Sequence, residues 1–156
     1  MKNLVLALIL ISAAISQSVY AKPRIINFIS HKTNSETVDV GSTGLSVGDI
    51  TINSGGLLNV NASANIGSYI ARLIIVSVDI VGGTTTRDLL VSYSLPEGTV
   101  TTVNMNKFPL GTNFPVESSD RAIIGGTGRY AGVKGVATVT PISGHPDDLM
   151  VKLKFK

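Results

Sequence analysis

After about residue 23, apolar and polar positions alternate with a period of two, and no stretch repeats at the three-to-four spacing of an amphipathic helix. Segments rich in Val, Ile and Thr read as strands at Arg24–Ser30, Gly48–Asn53, Leu57–Asn61, Tyr69–Val81, Arg87–Leu95, Thr99–Asn104, Asp120–Gly125, Val133–Thr140 and Leu149–Lys156. Turn residues separate them: Ser54-Gly55-Gly56, Gly82-Gly83, Pro96-Glu97-Gly98, Gly125-Gly126-Thr127-Gly128 and Gly144-His145-Pro146-Asp147. Short strands joined by glycine-rich turns predict an all-β antiparallel barrel or sandwich.

The segment Tyr69–Val81 departs from simple alternation. One face carries Tyr69, Ala71, Leu73, Ile75, Ser77, Asp79 and Val81; the other carries Ile70, Arg72, Ile74, Val76, Val78 and Ile80. Both faces are largely apolar, so both call for cover. A single barrel buries only one of them, and a second subunit is the expected cover for the other.

The first residues follow a different logic. Lys2 precedes an apolar run from Leu4 to Ile15, then a polar stretch and Val19-Tyr20-Ala21, the order of a secretory signal peptide. Spanning a bilayer takes roughly 20 apolar residues, and this run is shorter, so no membrane span is expected. Residues 1–21 are therefore read as a leader and 22–156 as a single exported domain, secreted or periplasmic. The chain has no cysteine, which removes disulfides, thiolate metal sites and cysteine nucleophiles. Lys and Arg number 13 against 10 Asp and Glu, and the excess is scattered rather than clustered, so no nucleic-acid footprint is present. Lys152, Lys154 and Lys156 alternate with Leu149, Val151, Leu153 and Phe155, the pattern of a strand's outer face.

Three motifs suggest chemistry and fail on context. Gly44-Leu45-Ser46-Val47-Gly48 matches the hydrolase elbow, but a strand follows where that motif needs a helix. Gly126-Thr127-Gly128-Arg129-Tyr130-Ala131 matches a dinucleotide fingerprint, again without the helix that would face the pyrophosphate. The glycines fit a turn with positive φ better. His31 and His145, with Asp147 or Asp148, have no metal-ligand spacing, and His145–Asp148 reads as a solvated turn. No metal and no cofactor is expected.

The stretch from Arg121 to Gly135, with Gly125-Gly126-Thr127-Gly128-Arg129-Tyr130 at its centre, resembles the signature of the allene oxide cyclase and dirigent-protein barrel superfamily. Gly48-Asp49-Ile50, Ala64-Asn65-Ile66-Gly67 and Leu95-Pro96-Glu97-Gly98-Thr99-Val100 resemble upstream pieces in the same order. The resemblance implies an eight-stranded antiparallel, calycin-like barrel, commonly trimeric, whose apolar lumen holds a small apolar or phenolic molecule. Plant allene oxide cyclases carry Glu-x-Asn on the first strand; the matching residues here are Ile25-Ile26-Asn27. The acidic position of plant dirigent proteins is matched within Phe28–Lys32 by a lysine. Neither activity transfers directly.

The leading expectation is thus an exported barrel that binds, and can orient, a small apolar or aromatic ligand. Strand parity names Asn27, Tyr69, Leu73, Tyr93 and Asn104 as lumen candidates, and Gly125, Gly126 and Gly128 as the structural turn. One alternative is a metal-free cyclase or isomerase working in the same lumen. Another is a structural or interaction protein whose barrel is filled by its own side chains.

Overall fold

Eight strands close in sequence order, every neighbour antiparallel, in a computed structural model that describes residues 24–156; the leader assignment lies outside the described residues. They are β1 (Ile25–Val38), β2 (Ile50–Leu58), β3 (Asn65–Asp79), β4 (Thr84–Leu95), β5 (Gly98–Pro109), β6 (Ser119–Gly126), β7 (Gly135–Ile142) and β8 (His145–Phe155). One short 3-10 turn, Gly128–Tyr130, lies between β6 and β7. β1 pairs with β8, so no sheet edge is left. The barrel expectation holds. Among the described residues no helix is long and apolar enough to cross a membrane.

Two predicted strands are in fact one. Ser54-Gly55-Gly56 lies inside β2, and its role is close approach rather than reversal. The register of β1 against β2 shifts between Lys32 and Asn34, next to this stretch. A Cβ on Gly55 would fall onto the carbonyl oxygen of His31, so glycine is required there for proximity. The expected turn at Gly144–Asp147 is also shorter: Ser143 and Gly144 make the reversal, and His145 already opens β8.

The two ends of the barrel are built differently. At one end the glycine signature forms the floor. Gly128 has φ +58°, as the sequence required of at least one signature glycine. The bare Gly126 leaves room for Tyr130 and the carbonyl of Thr99. Tyr130 stacks on Phe155 at 5.8 Å, and Glu97 pairs with both Arg24 and Arg129 around it. The glycines at the centre of the family resemblance therefore close the barrel and take no part in its cavity.

Beside β2, the 40–48 loop is tied down by one carboxylate. Asp49 accepts hydrogen bonds from the amides of Val40 (2.9 Å) and Ser46 (2.7 Å), and the Ser46 hydroxyl lies 3.1 Å from the same carboxylate. Ser46 is a loop tether in this setting. The Val40 and Ser46 amides hold the Asp49 carboxyl below its ordinary range. A carboxyl depressed in the folded state stabilises above its unfolded pKa of about 4, and that stability is lost as pH falls through the folded value. Asp49→Asn is expected to melt below wild type at pH 7, with the gap closing in scans below about pH 4; a gap unchanged with pH would refute the role.

Candidate functional site

Inward-facing residues come from alternate positions on each strand, and their rows meet across paired strands. Tyr69 lies opposite Tyr93, Ala71 opposite Val91 and Leu73 opposite Leu89. All six are buried and line a cavity in the upper half of the barrel. Phe28 meets Tyr93 edge-on at 5.2 Å and fixes its ring. Three of the five lumen candidates, Tyr69, Leu73 and Tyr93, thus come together in one wall.

The other two do not. Asn27 is exposed and pairs with Lys152 on the outside of the barrel, while its neighbour Phe28 is fully buried. The parity anchored on Asn27 is corrected by one residue, because the apolar Ile25 and Ile29 share its row and hid which face looks outward. Asn104 lies opposite Leu89 on the inner row of β5, half-buried, and does not reach the cavity wall.

Sequence reading missed the polar half of the lumen. Arg121 from β6, Asn53 from β2 and Ser30 from β1 are all at least 95% buried and line the same cavity. Arg87 is 1% exposed: its Nε donates to Thr85 Oγ1 at 3.0 Å, and its guanidinium lies 5.1 Å from the Phe108 ring centre. Neither Arg87 nor Arg121 has a carboxylate partner among the described residues. Arg87 shares its row with Leu89, Val91 and Tyr93, so parity could have found it.

The mouth opposite the floor is covered by the β5–β6 connection. Asn113 clips it down, accepting from Arg87 Nη1 at 2.6 Å on its side chain and from Asn53 Nδ2 at 2.8 Å on its backbone carbonyl. Phe114 and Pro115 then form the partition between the cavity and a groove of about 340 Å³ on the outer surface. Lys32 Nζ sits 4.8 Å from the Phe114 ring centre, and His31, His145 and Asp148 meet beside it: His31 Nδ1 is 2.6 Å and His145 Nδ1 3.5 Å from the Asp148 carboxylate. Beneath the partition only about 20 Å³ is open to the centre of a water molecule, room for roughly one.

Chemically, the lumen offers donors on an apolar background. Tyr93 Oη accepts from Arg121 Nη1 at 3.4 Å and keeps its own proton to donate. Burial raises both tyrosine pKa values, so both hydroxyls stay protonated at neutral pH. Among the described residues no carboxylate or histidine lines the cavity.

No protein-family model and no curated protein sequence matches the chain. Solved structures do. The chain shares its barrel fold with solved structures of cyclases and dirigent proteins. It is similar to a pyocyanin demethylase at 22% identity, over 85% of this chain and 100% of that one, with a TM-score of 0.67. It is similar to the Diels-Alderase AbmU from Streptomyces koyangensis at 18% identity, over 96% and 75%, with a TM-score of 0.63. The pterocarpan synthase dirigent protein PsPTS1 follows at 16% identity, over 86% and 93%, with a TM-score of 0.58.

Proposed function

We propose that this chain is an exported barrel that binds, and can orient, a small apolar or aromatic molecule in its lumen. The observation that supports it most is the composition of the cavity wall: packed Ala71, Leu73, Leu89 and Val91 interrupted by a few convergent polar groups, Tyr69, Tyr93 and Arg121. That mixture is the usual make-up of a ligand site. The free volume under the Phe114–Pro115 partition is too small for such a ligand, so entry requires the β5–β6 connection to lift away from Asn53 and Arg87. Native mass spectrometry of protein purified from its source is the test. A co-purifying small molecule is expected, and its absence together with failure to bind any apolar or aromatic probe would overturn the reading.

The cyclase alternative draws on the named activities of the structural neighbours. A wall without carboxylate or histidine suits a ring closure that needs positioning rather than proton abstraction. Allene oxide cyclase chemistry is not expected. Ile25 stands where the resemblance places a carboxylate, and it is 48% exposed on the outer face. A fatty-acid allene epoxide should cyclise with no enantiomeric enrichment over the protein-free reaction, measured by chiral chromatography; strong enrichment would promote the enzyme reading. The small free volume favours a further alternative, a barrel filled by its own side chains that works through its surface.

We also propose a homotrimer, on the family resemblance and on the outer face of β3. Ile70 is 59% and Val76 40% exposed there, with Ile52 of β2 alongside. Clustered exposed aliphatic side chains of this kind mark association surfaces in soluble proteins.

A further inference from the structure

A lumen lined by hydrocarbon should not contain a bare cation. Arg121 is 5% exposed, carries a permanent positive charge and faces no carboxylate; its Nε has no hydrogen-bond partner. Tyr69 Oη, also in the cavity wall, has none either. Leaving such groups unpaired inside a protein is costly, and the cost is concentrated on one wall of one cavity. Arg87, held at the mouth by its bond to Asn113, is likewise without a carboxylate partner among the described residues.

We propose that the lumen is built for an oxyanion on an apolar body: a small carboxylate or phenolate. Its oxygen takes the hydrogen bonds offered by Arg121 Nε, Tyr69 Oη and Tyr93 Oη, and its body lies along Leu73, Leu89 and Val91. Tyr93 contributes doubly. Its oxygen accepts from Arg121 Nη1, which polarises the hydroxyl and strengthens its donation to the ligand. Asn53 Oδ1, the buried acceptor of the wall without a partner, calls for a donor at the other end of the ligand, such as a hydroxyl. This inference rests on the lumen being a ligand site and specifies the ligand's charge.

The test pairs anions with neutral counterparts of similar shape: cinnamate with cinnamamide, and 4-nitrophenolate with 4-nitroanisole. Binding to the full mature chain is measured by calorimetry and by broadening of ring-proton resonances. At least one anion is expected to bind tenfold or more tightly than its counterpart, and the arm that shows this separates carboxylate from phenolate. Arg121→Met should erase the preference without weakening the neutral probe, and Tyr69→Phe should reduce it. Equal binding of anion and neutral, or a preference that survives Arg121→Met, overturns the inference and leaves the lumen reading standing. Binding of none of the four overturns both. A ligand-free readout runs beside these. Removing an uncompensated charge should leave the melting temperature of Arg121→Met equal to or above wild type; a marked drop or failure to fold would make Arg121 a structural residue and overturn the proposal.

Discussion

Gly128→Val is expected to cost roughly 2–4 kcal/mol of stability, from backbone strain and overpacking together. Gly128 sits at φ +58°, a region β-branched residues avoid, and a Cβ there would fall onto the carbonyl oxygen of Glu97. Relief by moving Glu97 is closed off. That residue sits in the tight turn between β4 and β5, its carbonyl accepts from the Arg129 amide, and its carboxylate pairs with Arg24 and Arg129. A strained 3-10 turn would also displace Tyr130 from Phe155 and open the barrel floor. For a domain of this size the loss corresponds to about 10 °C in melting temperature. Thermal denaturation of the two proteins decides it, and an unchanged melting temperature would mean that the floor is not held by this turn.

The wild-type protein is expected to behave in light scattering at micromolar concentration as three chains, and Ile70→Lys as one. Ile70 is the choice because it is 59% exposed in the isolated barrel. A lysine there costs the single chain little, whereas in an interface it becomes a buried, unpaired ammonium. The row it belongs to includes Ile74 and Val76 and is extended by Ile52 on β2; Arg72 interrupts it. Each Å² of apolar surface covered contributes roughly 25 cal/mol, of which only part survives the loss of rotational and translational freedom on docking. The circular dichroism of Ile70→Lys should match wild type, which separates lost association from lost fold. A wild-type mass equal to one chain would end the trimer proposal.

Period-two alternation determined an all-β antiparallel barrel or sandwich, because each strand must bury one face and the spacing of turns allows few long connections; the family resemblance chose the barrel. Alternation determined three residues of the cavity wall as well: Tyr69, Leu73 and Tyr93 are large, and their immediate row neighbours Ala71, Ile75, Val91 and Leu95 are apolar. The glycine signature was legible as a turn, since a reversal next to a strand calls for positive φ at one glycine or more. Three things needed the tertiary structure. Which face of β1 looks inward could not be read where Ile25, Asn27 and Ile29 share one row with Phe28 and Ile26 on the other; pairing with β8 put Phe28 inside. Gly55 looked like a turn because its reason, the His31 carbonyl close against it, lies on another strand. Nothing in the strand pattern singled out Arg87 or Arg121 as buried. A strand pattern records only average cost, and the barrel's closure is what sets Arg121 beside Tyr93 and Arg87 beside Thr85, Phe108 and Asn113 instead of water.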